Sequence, residues 1–481
     1  MKRPRGPAAK AGSVKIVVTG ATGFIGRAVV RALAARGDAV TALSRTPQRA
    51  AFDGSVTAAR FDPNAPPDPA PFEGADAVVH LAGESVAGRW TPEKKRAIND
   101  SREAGTRALV ASLAACSSRP RTLVSASAVG YYGDRGDEPL LESSAPGAGF
   151  LAQVCIAWER EIAAAQRLGM RVAWLRHGIV LGSGGGALAA MLPPFCVFAG
   201  GPLGNGSQWM PWIHIEDDVA LILFALDRDV SGPFNAVSPD IATNGRFAQA
   251  LGAALHRPSL AFAPGFALHA LLGEFASSLL ASQLVLPDRA LGEGFTFAHE
   301  MLEEALLDIL APNERREPAL RFFEDSIDVD APLERVFWFF SDAGNLKRIT
   351  PPELRFRMAT PSPIEMRRGT VIEYALAVRG IPVRWKSLVV DWQPGARFVD
   401  YQLRGPYLLW RHEHRFAPDP VGTRVVDRIA YSLPLAPLSG LALPFVSADI
   451  RRIFAYRRAA VARLLKDPAL KSAGLQKEKG R

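Results

Sequence analysis

Thr19-Gly20-Ala21-Thr22-Gly23-Phe24-Ile25-Gly26 is the stretch that decides the fold. It follows a short apolar run, Lys15–Thr19, and opens an amphipathic one, Phe24–Arg36, so it reads as the turn from a buried strand into a helix. In such a turn Gly20 permits the tight backbone, Gly23 lets the main chain approach a pyrophosphate, and Gly26 lets helix and strand pack closely. The helix N-terminus attracts phosphate charge. With Thr22, Phe24 and Ile25 these residues form a candidate dinucleotide cradle. A glycine triplet alone is weak, but at the head of a βαβ series it is specific.

That series runs outward from the cradle. Ala39–Ser44 and Ala75–Leu81 read as strands, Pro92–Cys116 as a helix, Thr122–Ser127 as a strand, Gly149–Leu168 as a helix and Arg171–Leu175 as a strand. Strands alternating with helices imply an α/β fold, a doubly wound parallel Rossmann sheet with helices on both faces. The proline-rich run Asp62–Phe72 reads as a surface loop. After Thr243 the strand pattern stops, and Phe247–Leu255, Gly265–Leu280 and Met301–Leu310 read as a small helical module. Residues 312–318, prolines enclosing charges, read as a linker. Beyond it come a strand at Arg321–Val329, two short helices around Leu333–Ile349, alternating strands between Phe356 and Tyr431, and a last helix at Ser447–Leu465, an α+β pattern. The partition is therefore 14–243, 244–311 and 319–466, with basic tails at 1–13 and 467–481 that read as disordered.

The chain of 481 residues is too long for one core. With 48% hydrophobic and 22% charged residues, wholesale disorder is excluded. No run reaches the roughly 18 apolar residues of a membrane span; the most apolar window, Leu433–Val446, is cut by Pro434, Pro437 and Pro444. Cys116, Cys155 and Cys196 are too few and too dispersed for a disulfide framework or a zinc cluster, and the start lacks the apolar core of a secretory signal, so a cytoplasmic location is expected. The net charge of +9 is uneven: residues 319–466 carry 23 basic against 15 acidic side chains, residues 14–318 carry 26 against 31. No nucleic-acid-binding motif accompanies the basic part, so nucleic acid is not an expected partner.

The end of the second strand selects the cofactor. An NAD site places Asp or Glu about 20 residues after the first glycine to hold the ribose hydroxyls. Here the chain has Ser44-Arg45, with Arg49 beyond. A guanidinium binds a 2′-phosphate that a carboxylate repels, so NADP(H) is expected. The alternative is an arginine merely solvated on a loop.

Three motifs, the glycine turn, His80-Leu81-Ala82-Gly83 and Ser125-Ala-Ser-Ala-Val-Gly-Tyr-Tyr-Gly133, together resemble the extended short-chain dehydrogenase/reductases. Trp158-Glu159, Leu175-Arg-His-Gly178, Met191-Leu-Pro-Pro194, Trp212-Ile-His-Ile-Glu-Asp-Asp218 and Gly232-Pro-Phe-Asn-Ala-Val-Ser-Pro239 narrow the resemblance to the atypical YfcH-type epimerase family, from Val14 to about Leu310. The resemblance implies that Leu81, Ala82 and Gly83 also line the cofactor. It makes Ser127 the catalytic serine and places Glu84, Arg102, Arg176, Gln208 and His214 near the substrate pocket. The superfamily's Tyr-x-x-x-Lys pair, however, falls on Leu151 and Cys155, which supply neither a phenol nor a cation. Tyr131 and Tyr132, just past Ser127, are the candidate replacements as proton donor; the alternative is that one stacks on the ribose or packs structurally. His214 reads first as a neutral core histidine, Asp217 or Asp218 as the cap of a helix Val219–Leu226, and Cys155 as a small buried hydrophobe. The glycine runs Gly182–Gly186 and Gly200–Gly206 read as mobile loops around a cleft.

Leu320–Lys466 resembles the START-like helix-grip (SRPBCC) superfamily, in its polyketide cyclase/dehydrase-like branch, through Ser326-Ile-Asp-Val-Asp-Ala-Pro332, Val336-Phe-Trp-Phe-Phe-Ser-Asp342, Leu346-Lys-Arg-Ile-Thr-Pro-Pro352 and the final helix. That resemblance implies a curved sheet around the helix, an apolar cavity and a hydrophobic small-molecule ligand. The expected whole is an NADP(H)-dependent oxidoreductase or epimerase acting on a hydrophobic carbonyl or hydroxyl compound; the alternative is a non-enzymatic sensor of NADP(H) and a lipid-like ligand.

Overall fold

The computed structural model describes residues 13–49, 52, 55–310, 320–433 and 442–466. The expected tails, apart from Ser13, the linker at 312–318 and the side chain of Arg49 lie outside the described residues. The chain forms two compact units, Met1–Glu314 and Arg315–Arg481.

The first unit is built on seven parallel strands: β1 (Lys15–Thr19), β2 (Ala39–Ser44), β3 (Val56–Arg60), β4 (Ala77–His80), β5 (Thr122–Ala128), β6 (Arg171–His177) and β7 (Gly232–Ala236). Their order is β7-β6-β5-β4-β1-β2-β3. Ile16 and Val18 pack into one core layer with Val29, Val30 and Leu33 of helix α1 (Phe24–Arg36). Val17, pointing the other way, packs with Leu109 and Leu113 of α2 (Pro92–Ala115). Alternate residues of one strand are thus both buried, the signature of a sheet covered on both faces. Helices α3 (Phe150–Ala163) and α4 (Ile215–Asp227) complete the layers. The strand order reverses at β1, between β2 and β4, where open α/β sheets bind ligands.

Several expectations are corrected. β3 and β7 escape periodicity because β3 is a largely exposed edge and β7 contains Gly232, Pro233 and Asn235. Strand structure does not end at Thr243: Leu284–Val285 pairs with Pro139–Leu140, too short to show a period. The expected helix Gly265–Leu280 is two helices, broken at Gly273 (φ +62°). α4 begins at Ile215, and its cap is His214, whose Nδ1 accepts from the Glu216 amide at 3.2 Å. Asp217 and Asp218 do not cap: Asp217 accepts from the Ala298 and His299 amides, and Asp218 pairs with His177 at 2.7 Å. The glycine runs are close-packed at several positions, although Gly184 faces open space. A Cβ on Gly182, Gly185 or Gly186 would come within 2.9 Å of the Phe24 ring, and one on Gly201 within 1.6 Å of the Ala261 carbonyl oxygen.

The second unit is a seven-stranded antiparallel sheet: β8 (Arg321–Val329), β9 (Arg357–Met358), β10 (Val371–Val378), β11 (Ile381–Gln393), β12 (Arg397–Arg404), β13 (Leu409–Asp419) and β14 (Gly422–Ser432), in the order β8-β14-β13-β12-β11-β10-β9. A short helix (Leu333–Ser341) and the long helix α5 (Leu443–Lys466) pack on it, α5 through Ile450, Phe454, Val461 and Leu465 at helical spacing. Phe337, Trp392, Phe398 and Phe416 fill part of the interior with interlocking rings. A groove of about 510 Å³ lies against α5, lined by Glu353, Leu354, Ala377, Arg379, Asp449 and Arg452 among others. No described helix is long and apolar enough to cross a membrane.

Candidate functional site

The cradle forms at the reversal of the sheet. Gly20 has φ +66°, and a Cβ there would lie 2.6 Å from the Leu81 carbonyl carbon, so the Leu81-Ala82 segment leaving β4 crosses directly against the turn. A Cβ on Gly26 would come 2.2 Å from the Gly20 oxygen. Gly26→Ala is therefore expected to destabilise the unit by about 1–3 kcal/mol, read by urea unfolding. Gly23, by contrast, meets only the Gly20 oxygen at 3.2 Å and is exposed, leaving its side of the loop open. No side chain caps α1, so its first amides remain for an anion. Thr22 is exposed, and Ile25 and Phe24 are half-buried.

Below the cradle the strand ends are tied together. Thr19 Oγ1 lies 2.7 Å from His80 Nδ1, and the other ring nitrogen lies 3.0 Å from Thr106 Oγ1. Burial pushes His80 down to about 4, so it is neutral. The Leu81–Glu84 loop is braced from α2: Arg102 Nη1 donates to the Glu84 carbonyl (2.9 Å) and lies beneath Gly83, Ser101 Oγ accepts from the Glu84 amide, and Lys94 pairs with the Glu84 carboxylate at 2.7 Å. Arg102 and Glu84 thus hold the loop that flanks the cradle. At the end of β2, Ser44 Oγ accepts from the Thr46 amide and Arg45 stands exposed.

The end of β5 brings the candidate catalytic residues into one cluster. Ser127 is buried, and its hydroxyl donates inward to Glu159 Oε1 at 2.7 Å. Arg176 grips the same carboxylate through Nε and Nη2, both at 2.8 Å, and donates through Nη1 to the Tyr132 hydroxyl and the Glu142 carbonyl. Tyr132 is fully buried and shares its proton between Asn235 Oδ1 (2.7 Å) and the Leu141 carbonyl (3.0 Å). Burial raises its pKa well above the usual phenol value. Ser127, Tyr132 and Arg176 are therefore members of one internal network, which uses four of the five N–H donors of Arg176. Tyr131 is different. It is half-buried, its ring lies on the Arg176 guanidinium (3.6 Å) and edge-on to Tyr132, and no hydrogen bond to its hydroxyl is formed among the described residues.

Leu151 and Cys155 stand on α3 against Gly130, where a Cβ would meet Leu151 Cβ at 3.2 Å and the Cys155 Sγ at 3.7 Å. Burial pushes the Cys155 thiol up to about 12, so it is no nucleophile at neutral pH. Gln208 is tied to the Leu203 carbonyl at 3.1 Å, and His214, pushed down to about 4 by burial and by His299 beside it, serves as the α4 cap. The structure brings neither to the Ser127–Tyr132 network.

Sequence reasoning missed Glu159 and Glu142. Glu159 is signalled by its place one turn beyond Cys155 and two beyond Leu151 on α3, hence on the face that meets β5. Glu142 has no local signal. Its Oε1 accepts from the Asn235 and Arg289 amides, its Oε2 has no protein partner among the described residues, and burial raises it to about 7. The folded state therefore holds this proton longer than the unfolded chain, whose carboxyl titrates near 4.5, and stability falls as pH rises from about 4.5 to 7. Glu142→Gln keeps the acceptor and removes the ionisation. It is expected to stabilise the protein by about 1–3 kcal/mol at pH 8 and hardly at pH 4.5, in urea titrations at the two pH values. A half-buried cluster was also missed: Trp90 packs on Phe150 (5.1 Å) and Phe275 (5.6 Å) at the start of α3.

Comparison with known proteins fits this geometry. The NAD dependent epimerase/dehydratase family model matches residues 16–237, a domain of unknown function (DUF1731) matches 263–309, and the polyketide cyclase/dehydrase and lipid transport family matches 322–466. An Arabidopsis thaliana epimerase family protein, the chloroplastic SDR39U1 homolog, is 42% identical over 312 residues, covering 63% of this chain and 88% of that protein. The chain belongs to the epimerase family. A further member, YfhF of Bacillus subtilis, is 33% identical over 300 residues, covering 62% of this chain and 98% of its own length. The crystal structure of the human epimerase family protein SDR39U1 (isoform 2) with NADPH superposes with a TM-score of 0.56 at 33% identity, covering 63% of this chain and all of that one. These epimerase family relatives match about the first two thirds of the chain, and the polyketide cyclase/dehydrase match accounts for most of the remainder.

Proposed function

We propose that the first unit binds NADP(H) and catalyses hydride transfer on an apolar carbonyl or hydroxyl compound, as a reductase or within an epimerisation. The carrying observation is Arg45, exposed at the end of β2 beside the glycine cradle, where an NAD site places a carboxylate. The human family member solved with NADPH supports the same choice. The bound cofactor supplies the hydride. Tyr131 supplies the proton to the substrate oxygen, with Arg176 fixing its ring and the Glu159–Ser127–Tyr132 network fixing Arg176. Trp90, Phe150 and Phe275 form an apolar wall at the first turn of α3, next to the Leu151–Gly130 contact that adjoins Tyr131. The second unit, residues 319–466, holds a hydrophobic small molecule; the polyketide cyclase/dehydrase and lipid transport match supports this, and native mass spectrometry of the intact chain would show the retained lipophile. Residues 14–243 and 244–311 form the cofactor domain and its helical module. Three cysteines, all free thiols, fit a reducing cytoplasm.

The internal use of Ser127, Tyr132 and Arg176 favours a second reading, a sensor that binds NADP(H) without turnover. NADPH fluorescence followed across a panel of apolar aldehydes and ketones separates the two. Oxidation by at least one apolar class is expected; tight NADPH binding with no oxidation across the panel leaves the sensor.

A further inference from the structure

The second unit carries a cluster that its family match does not assign. His412 and His414 are two residues apart on β13, so their side chains share one face of the sheet. Asp400 on β12 stands opposite His412, and Asp427 on β14 opposite His414. Both histidines and Asp427 are buried, and the Asp400 side chain is 21% exposed. The imidazole rings are tilted by 42° to one another with centroids 3.8 Å apart. Each turns one nitrogen to each carboxylate. Asp427 Oδ1 accepts from His412 Nε2 at 3.0 Å and lies 2.6 Å from His414 Nδ1, although that nitrogen makes no well-formed hydrogen bond. On the other side, Asp400 Oδ1 stands 3.8 Å from His412 Nδ1 and 3.6 Å from His414 Nε2, beyond hydrogen-bonding range. Because His412 Nε2 carries the proton donated to Asp427, its Nδ1 presents a lone pair toward Asp400.

We propose that Asp400, His412 and His414 form a binding site for a divalent first-row transition-metal ion, with Asp427 orienting the imidazoles from behind. One ligand atom from each of the three lies within 4.8 Å of the other two. Metal bonds of about 2.0–2.1 Å at tetrahedral angles put ligand atoms about 3.3–3.5 Å apart. The two imidazole-to-carboxylate separations, 3.6 and 3.8 Å, need only a few tenths of an ångström of closure, and the imidazole-to-imidazole nitrogen separation lies within 4.8 Å. Two imidazoles and one carboxylate, with a carboxylate holding the distal imidazole nitrogen, form a donor set suited to such an ion with further positions open. Two carboxylates, Asp400 and Asp427, flank the imidazole pair, and Arg457 Nη1 stands 4.0 Å from Asp427. The surroundings are aromatic: Phe398 stacks on His414 at 4.1 Å, and Phe340 and Phe454 flank the pair. They exclude competing water and strengthen a charge-based site.

The test is titration of the untagged full-length chain, stripped with chelator, with Co²⁺ alone. The expected result is one Co²⁺ per chain with the visible absorption of a low-coordinate site, displaced by one equivalent of Zn²⁺. His299→Gln serves as the background, because His214, Glu216 and His299 form a second group able to bind the probe; the signal should persist in it. His414→Gln should abolish the signal, and Asp427→Asn should weaken affinity about 10–100-fold. Asp400→Asn, at the most exposed of the three ligands, replaces His414→Gln if that variant does not fold by circular dichroism. Absence of the low-coordinate spectrum in the His299→Gln background, or its persistence when folded His414→Gln or Asp400→Asn is added to that background, overturns the proposal.

Discussion

Replacing Tyr131 with Phe is expected to lower turnover about 10²–10⁴-fold while leaving NADPH affinity within about twofold, because the substitution removes the proton donor and keeps the ring on Arg176. Its neighbours should behave differently. Tyr132→Phe strands Asn235 Oδ1 and one guanidinium donor in the core, so it should cost about 1–3 kcal/mol of stability with turnover per folded molecule retained. Cys155→Ala should hardly change turnover, since burial keeps the thiol protonated. The measurement is steady-state NADPH oxidation with the best apolar carbonyl substrate, alongside fluorescence titration of the cofactor. Full turnover in Tyr131→Phe together with loss in Cys155→Ala or Ser127→Ala would move the role to another group.

Arg176→Met should destabilise the protein by about 3–5 kcal/mol. It leaves the Glu159 carboxylate buried, without its bidentate partner, among Ser127 and the apolar face of α3. A carboxylate stranded in this way costs more than the ion pair itself contributes, so the double variant Arg176→Met, Glu159→Gln should recover part of the loss. Urea unfolding of the two single variants and the double variant closes the cycle. A loss under about 1 kcal/mol in Arg176→Met would mean that the network does not hold the floor of the site.

The legible parts of the fold are those with local causes. The turn Thr19–Gly26, the burial of alternate residues in Lys15–Thr19 and the helix stripe of Phe24–Arg36 all lie within a few residues of one another. β7 was not legible, because its Gly, Pro and Asn residues belong to a strand only through pairing with β6. The same holds for the site. The residues of the cradle and the exposed Arg45 announce themselves by type and spacing. Whether Ser127, Tyr132 and Arg176 face a ligand or one another depends on Glu159, Asn235 and the Leu141–Glu142 segment, brought in from α3, β7 and the chain after β5. A motif names residue types but not the hydrogen-bond partners that occupy them. For the same reason Asp217 and Asp218 read as helix caps, although the backbone offered that place to His214.

The central claim, an NADP(H) site in the first unit, rests on a guanidinium standing where a carboxylate would select NAD. Calorimetric titration of the full-length chain with NADPH and with NADH, in wild type and Arg45→Asp, tests it most directly. The account predicts tighter NADPH binding in wild type by about 1–3 kcal/mol, the scale of charge-assisted hydrogen bonds to a phosphate, and loss or reversal of that preference in Arg45→Asp. Equal affinity for the two nucleotides in wild type would contradict it.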